Sequence, residues 1–219
     1  MMFRRTFVVG ALGSSLLALA ACQTSPPPPM VVPAAFTTLG VNAPYLSGPI
    51  IGGAKARAAK MRGAKIRPLT QTAAYSYMLD LDSELRRQTA GIGLDVVRVG
   101  GGIVIRVPAA LTFQPGSVAV TPQFDATLLE IARTVKARNQ TYVDVLAHTD
   151  LSGSPAANQT VSEKRAAVVA TYLAGHGVSR ARMASKGLGE TAPLYNPEMD
   201  ETQKAANRRV EIRLMPFTG

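Results

Sequence analysis

Residues 141–165 decide the fold of this chain, and they read TYVDVLAHTDLSGSPAANQTVSEKR. The first seven residues are rich in β-branched and apolar side chains, which predicts a buried strand from Thr141 to Ala147. The stretch from Leu151 to Pro155 consists of turn-forming residues. From about residue 156 to residue 174 the pattern is helical, so this segment is a strand, a loop and a helix in succession.

The residues upstream predict two helices and a hairpin. Apolar residues at helical spacing (Ala74, Met78, Leu81 and Leu85) predict a helix that ends near Gly91. The β-branched runs 94–99 and 103–107 flank three glycines and predict a hairpin, because no helix follows the glycines as a phosphate-binding loop requires. Thr121 and Pro122 are the N-cap and first residue of a second helix.

The residues downstream predict two more strands. One is short and lies near residues 182–187. In the other, Val210, Ile212 and Leu214 alternate with charged side chains, which predicts a half-buried strand. The order of elements predicts an α/β (α+β) fold, in which a mixed β-sheet has helices packed on one face.

Composition and charge exclude several classes of protein. A chain of 219 residues, 47% of them apolar, suits one domain with extensions or at most two small domains. One cysteine excludes an intrachain disulfide and a multi-cysteine metal site, and two histidines argue against a histidine-rich metal centre. We therefore expect no metal and no cofactor. Residues 1–79 carry eight Lys and Arg residues and no acidic residue, whereas the remainder is nearly balanced, which argues against nucleic-acid binding by the folded part.

The N-terminus has the composition of an export and lipidation signal. Residues 1–5 are basic, and residues 7–21 form an uncharged, mostly apolar run before Cys22. This run is shorter than the roughly 30 Å hydrocarbon core of a membrane requires, so it is a signal segment and not a membrane-spanning helix. Leu19-Ala20-Ala21-Cys22 resembles the bacterial lipobox, which predicts a lipid anchor on Cys22. The alternative is an ordinary secretory cleavage site beside a stray cysteine.

Two further resemblances concern export. Gln23 follows the cysteine, whereas in enteric-type lipoproteins an aspartate there favours retention in the inner membrane, so the outer membrane is implied. Arg4-Arg5 resembles a twin-arginine export motif, and the choice between the two export routes stays open.

The sequence divides into four parts: a signal peptide (1–21), a lipidated Pro-rich and basic tether (22–70), a lead-in of one helix and a hairpin (71–102) and a C-terminal domain (103–219). In the tether, Pro26 to Pro29 predict a short polyproline rod. Residues 55–67 hold six cations: Lys55, Arg57, Lys60, Arg62, Lys65 and Arg67. Such a run is either a solvated segment or a surface that lies on anionic headgroups or polymer.

Polar residues cluster where the strand at 141–147 meets the helix after it. Thr149 and Asp150 end the strand, and Asn158 and Arg165 lie two turns apart on one face of the helix. Ligands of open α/β sheets bind beyond the carboxyl ends of strands. Asp150 suits an ammonium group and Arg165 a carboxylate, so together they suit a zwitterion. The alternative, equally open from spacing, is a structural Asp–Arg pair that ties the loop to the helix.

Further along the chain come residues that complete a family pattern: Ser162, Ala166, Val169, Leu173, Gly187-Leu188-Gly189-Glu190, Pro193, Asn196 and Asn207-Arg208-Arg209-Val210-Glu211-Ile212. With Asp150, Asn158 and Arg165, this pattern resembles the OmpA C-terminal (Pal-like) peptidoglycan-binding domain over about residues 103–216. With the lipobox and tether, the whole chain is similar to outer-membrane OmpA-like lipoproteins of the YiaD type. The pattern departs from the family at Ala147 and Val161, where glycine and leucine are usual, and neither departure touches the charged pair.

The resemblance implies a ligand and the residues that bind it. The ligand is meso-diaminopimelate in the stem peptide of peptidoglycan, with its ammonium group on Asp150 and its carboxylate on Arg165. Thr149 and Asn158 are expected to add polar contacts, and Arg208 is a second candidate for the carboxylate. The implied protein is a non-enzymatic anchor, with its lipid in the outer membrane and its domain in the periplasm, bound non-covalently to the wall.

Two other functions compete with this one. The first is a docking module for a periplasmic envelope protein, as in a Tol-type complex. The second is a wall hydrolase, with His148, Asp150 and nearby serines as its catalytic groups. No nucleophile-elbow sequence is present, and an aspartate two residues from a histidine is poorly placed to orient it. We therefore expect no enzymatic activity, a structural or positioning role for His148, and a helix-capping role for His176.

Overall fold

The computed structural model of the chain describes residues 48–114 and 116–219. The helices are α1 Ala54–Gly63, α2 Gln71–Thr89, α3 Ala109–Thr112, α4 Pro122–Ala137, α5 Pro155–Gly175 and α6 Glu201–Asn207. The strands are β1 Asp95–Val99, β2 Gly102–Pro108, β3 Thr141–His148, β4 Met183–Gly189 and β5 Arg209–Pro216. The predicted signal peptide, Cys22 and the proline rod lie outside the described residues. Within residues 48–114 and 116–219, no helix has the length and apolar character needed to cross a membrane.

The five strands form one mixed sheet in the order β1-β2-β5-β3-β4. Only β3 and β4 are parallel, and α5 makes the crossover that a parallel pair requires. The other neighbouring pairs are antiparallel, including the hairpin of β1 and β2 that the sequence predicts. The last strand of the chain therefore lies at the centre of the sheet, between β2 and β3.

Three helices, α2, α4 and α5, cover one face of the sheet, and their predicted positions are confirmed. The apolar residues that predicted α2 are all buried. Thr121 caps α4 by accepting a hydrogen bond from Phe124 N at 3.2 Å, and Pro122 opens the helix. His176 ends α5, where its Nδ1 lies 2.9 Å from the Tyr172 carbonyl oxygen and its ring stacks on Tyr172. The predicted fold class is confirmed.

A glycine sets how closely α5 approaches β4. A Cβ atom on Gly187 would lie 2.5 Å from Ser162 Oγ and closer still to the backbone nitrogen of Glu163. Ser162 is fully buried, and its hydroxyl accepts a hydrogen bond from Gly189 N at 2.9 Å. This contact fixes α5, which carries Asn158 and Arg165, relative to the ends of the parallel strands.

The second face of the sheet is also covered, which corrects the prediction that β5 is half-buried. Arg209, Glu211 and Arg213, expected to face water, are at most 3% exposed. Residues 48–67 and the loop at 190–200 lie over them. Arg213 donates to the carbonyl oxygens of Gly48 and Pro49, and Arg209 to that of the loop residue Ala192.

Residues 48–67, placed in the tether by the sequence, fold onto this second face. Arg57, Ala58 and Met61 of α1 are buried. Arg57 forms an ion pair with Asp144 of β3, whose Oδ2 accepts from Arg213 Nη2 at 2.9 Å and from the Ile51 backbone nitrogen at 3.1 Å. The expected tether boundary at residue 70 is therefore too late, because α1 packs its buried residues on the sheet and adds Arg57 to the partners of a buried carboxylate.

We expect Asp144→Ala to lower the free energy of unfolding by about 3–5 kcal/mol, because it leaves Arg57 and Arg213 buried without their carboxylate. The control Glu130→Ala removes an exposed ion pair with Arg133 and should cost less than about 1 kcal/mol. Urea unfolding monitored by circular dichroism measures both. Equal effects of the two substitutions would contradict the role of Asp144 in holding α1.

We expect Gly187→Ala to destabilise the protein by about 2 kcal/mol or more, because the new methyl group forces α5 away from β4. Gly175→Ala is the matched control, since a Cβ there would meet no atom within 4 Å and alanine favours the helix. Thermal unfolding of both variants checks this. A Gly187→Ala variant as stable as Gly175→Ala would show that the close approach of α5 and β4 is not required.

The buried pair of His148 and Glu211 predicts a loss of stability in acid. Burial lowers the pKa of His148 below its ordinary 6.5, and Arg209 lowers this pKa further. Glu211 raises it, but by less than the other two effects lower it. Burial alone would raise the pKa of Glu211, but Arg209 and His148 hold it well below 4.5.

The unfolded chain therefore takes up a proton on His148 below pH 6.5 that the folded protein does not, and one on Glu211 below pH 4.5. We expect the free energy of unfolding to fall from about pH 6.5 downward, by at most about 1.4 kcal/mol per pH unit per proton. Urea titrations across this range measure it, and His148→Gln should remove the first phase. Unchanged stability of the native chain between about pH 7 and pH 5 would contradict the assignment.

Candidate functional site

The predicted site residues come together beyond the carboxyl end of β3. Thr149 and Asp150 follow this strand directly, and Asn158 and Arg165 lie on α5, which starts after a short loop. Arg208 lies between α6 and β5. Because β5 runs antiparallel to β3, its first residues return to the end of β3 and bring Arg208 beside Asp150.

Asp150 pairs with Arg208 and not with Arg165. Its Oδ2 accepts a hydrogen bond from Arg208 Nη1 at 2.6 Å, and its Oδ1 accepts one from the Ser152 backbone nitrogen at 3.1 Å. Arg208 also forms an ion pair with the exposed Glu201 of α6. Within the described part of the chain, no ion pair joins Asp150 to Arg165. The alternative of a structural Asp150–Arg165 pair is therefore wrong.

Arg165 lies in an unusual electrostatic setting. Its guanidinium carbon lies 5.0 Å from the centre of the Phe113 ring, a cation–π contact. Its buried Nε has no hydrogen-bond acceptor among the described residues, and none of their carboxylates pairs with it. Burial lowers the pKa of Arg165 and the neighbouring Arg208 lowers it further, while Asp150 raises it. An anion bound near both guanidinium groups would relieve their mutual repulsion.

The two arginines line a pocket of about 270 Å³. Its other lining residues come from α3 and the segment after it: Ala109, Ala110, Phe113, Gln114 and Gly116. Asp150 is not one of the lining residues, but it forms an ion pair with Arg208, which is. The arrangement offers an apolar wall, two cations and one carboxylate within a small volume, which suits a short aliphatic group that carries both an anion and a cation.

Asn158 and Thr149 are placed differently from the charged residues. The Asn158 amide nitrogen donates to the Ser152 carbonyl oxygen at 2.9 Å and to Glu190 Oε2 at 2.6 Å, and so it organises the loop. Thr149 is buried, and its backbone nitrogen donates to the Gly189 carbonyl oxygen at 2.9 Å. Its hydroxyl has no hydrogen-bond partner within the described ranges. Contacts of both side chains with a ligand stay predictions.

The sequence did not reveal several residues that build the site. Phe113, which lies under Arg165, follows a four-residue helix with no periodic signal. Glu198 accepts hydrogen bonds from the Leu151 backbone nitrogen at 3.1 Å and from Asn207 Nδ2 at 2.6 Å. Of these residues, the sequence indicated only Asn207, because it belongs to the Asn-Arg-Arg segment of the family pattern. Its Oδ1 accepts from Leu194 N at 2.6 Å and so fixes the loop beside the site.

The described part of the chain offers no cluster of metal ligands at this site. Among residues 48–114 and 116–219, no group of three or more His, Cys, Asp and Glu side chains is close enough to hold a metal ion.

The chain is similar to known proteins over the site and along its whole length. The OmpA family matches residues 112–208, a range that includes all five predicted binding residues. The chain is 31% identical over 221 residues to the "Probable lipoprotein YiaD" of Escherichia coli (strain K12), and the match covers 99% of this chain and 100% of that protein.

Two further matches cover the C-terminal part. The "Peptidoglycan-binding protein ArfA" of Mycobacterium tuberculosis is 33% identical over 102 residues, which are 47% of this chain and 31% of that protein. The crystal structure of a MotB-like protein from Desulfovibrio vulgaris superposes with a TM-score of 0.60 at 30% identity, over 67% of this chain and 95% of that one. The fold, the family pattern and the relative that matches along the whole length agree: the chain belongs to the OmpA family.

Proposed function

We propose that this chain is a lipid-anchored, non-enzymatic protein that binds peptidoglycan non-covalently and tethers the outer membrane to the cell wall. The observation that carries the proposal is that the guanidinium group of Arg165 has no anionic partner in the part of the chain that the structure describes. It lies over Phe113 without a carboxylate partner among the described residues, beside an Asp150–Arg208 ion pair. A cation held in this way is available to bind an anion from another molecule.

The diaminopimelate zwitterion matches the pocket in charge and size. In a stem peptide, the free end of this residue bears an ammonium group and a carboxylate on the same carbon atom. The carboxylate would bind between Arg165 and Arg208, and the ammonium group would bind to Asp150. The methylene groups would pack against Phe113 and Ala110. Lysine at the same position would lack the carboxylate and would leave the two arginines without their anion.

The relatives support the remaining parts of the proposal. One is named a probable lipoprotein and matches the whole chain, and another is named a peptidoglycan-binding protein and matches the folded part. Lipidation at Cys22 and retention in the outer membrane rest on the resemblance of residues 19–23 to lipoprotein signals. Between Gln23 and Ser47 the chain spans at most about 90 Å, which sets an upper limit on the distance between membrane and domain.

Sedimentation with purified wall tests the binding site. We expect residues 23–219 to pellet with diaminopimelate-type peptidoglycan. Asp150→Asn and Arg165→Gln should each weaken binding by about tenfold or more, because each removes a charge-assisted contact worth about 1.5–3 kcal/mol. The matched control Arg133→Gln removes an exposed arginine on α4 and should bind like the native chain.

Competition identifies the ligand. Free meso-diaminopimelate should release the protein from the wall, and L-lysine should do so much less. If both site variants are folded by circular dichroism and pellet like the native chain, the zwitterion contact is wrong. If the native chain does not pellet, wall binding is wrong and the docking alternative is favoured, which crosslinking to envelope proteins would then test. Turnover of muropeptides would contradict the non-enzymatic assignment.

A further inference from the structure

A dense set of exposed cations lies on α1 and on the turn that follows it. α1 buries Arg57, Ala58 and Met61, and the remaining cations of this segment are exposed to solvent. These exposed residues are named the basic face: Lys55, Lys60, Arg62, Lys65 and Arg67. No acidic residue occurs in the sequence before Asp80, so no acidic neighbour in this segment offsets their charge.

The basic face lacks the acidic partners that three exposed arginines on other helices have. On α2, Arg86 pairs with Asp82 and Arg87 with Glu84, and on α4 Arg133 pairs with Glu130. Within the part of the chain that the structure describes, none of the five residues of the basic face forms an ion pair. A cluster of like charges without partners repels itself, and it is stabilised when an anionic surface approaches.

The body of the domain holds the basic face in place. The ion pair of Arg57 with Asp144 fixes α1 to the sheet, and Met61 is completely buried. The guanidinium carbon of Arg62 lies 5.5 Å from the centre of the Phe217 ring, so this cation is held at the end of β5. The charges are therefore arranged on a folded surface and need little ordering on contact.

The basic face and the candidate binding site lie at opposite ends of β3. Phe217, under Arg62, also packs on Tyr142 near the start of β3, whereas Asp150 follows its last residue. Eight residues of strand separate these ends by about 26 Å. A ligand at one end therefore leaves the other end free.

We propose that the basic face is a docking surface for the anionic phosphate headgroups of the membrane that carries the lipid anchor. This inference rests on the proposed function for the position of the anchor at Cys22. The described structure begins at Gly48, and the basic face starts at Lys55, in the first helix of the described residues. Each cation near an anionic membrane adds to the attraction, and the five cations of the basic face act together.

The length of chain before the folded part limits how far the basic face can lie from the membrane and allows contact with it. From Gln23 to Ser47 the chain spans at most about 90 Å, so the anchor holds α1 within that distance of the headgroups. The membrane is favoured over the wall as the partner of the basic face because the pocket proposed to bind the wall lies at the other end of β3.

Flotation with lipid vesicles tests the proposal on residues 23–219, which contain every described element and lack the lipid. The vesicles consist of phosphatidylcholine alone or of phosphatidylcholine and phosphatidylglycerol in equal parts. The test variant combines Lys55→Gln, Lys60→Gln and Arg67→Gln. The matched control removes three exposed cations elsewhere, through Arg87→Gln, Arg133→Gln and Lys186→Gln.

We expect the native chain and the control to float with the anionic vesicles only, and to bind less as salt is added. The test variant should bind these vesicles at least about tenfold more weakly. All three proteins should pellet equally with peptidoglycan, so a failure of wall binding is seen separately from a failure of membrane docking.

Three outcomes would overturn the proposal. The first is a native chain that does not float with anionic vesicles at low salt, and the second is equal binding of the test and control variants to these vesicles. The third is loss of wall pelleting by the test variant alone, since the basic face would then serve the polymer.

Discussion

Buried charges on the second face of the sheet each require a partner of opposite sign, and much of the structure depends on this requirement. Asp144 of β3 is fully buried, and it holds Arg57 of α1 and Arg213 of β5. On the same face Glu211 forms an ion pair with the neighbouring Arg209. Charges left unpaired under this cover would cost several kcal/mol each, and α1 and the loop at 190–200, which form the cover, supply further partners through Arg57 and the Ala192 carbonyl oxygen.

The same arrangement positions the candidate binding site. Arg209 is held by Glu211 at the start of β5, and the residue before it, Arg208, therefore lies beside the end of β3 and pairs with Asp150. Asp150 forms its ion pair with Arg208, and Arg165 therefore has no carboxylate partner among the described residues. Two guanidinium groups then line a small pocket, and the carboxylate of Asp150 pairs with one of them, which is the physical basis for proposing a zwitterionic ligand.

The fold gives the molecule two ends with different surfaces. The pocket proposed to bind the wall lies beyond the last residue of β3, and the basic face lies on α1 and near the first residues of that strand. Residues 48–67 belong to the folded part, so the segment available to connect it to the proposed anchor ends before Gly48 and not at residue 70.

The sequence by itself determined α2, α4 and α5, the five strands, the mixed sheet and the place of Asp150 and Arg165 at a strand–helix junction, because hydrophobic periodicity and capping residues act over a few neighbours. It did not predict α1, α3 or α6. Only the tertiary structure decided that Asp150 pairs with Arg208, 58 residues away, and that Phe113 lies under Arg165. It also decided that Arg57, unlike the other cations of residues 55–67, is buried and pairs with Asp144. These contacts join residues far apart in the chain. They depend on strand order and on the pairing of buried charges, which no local pattern records.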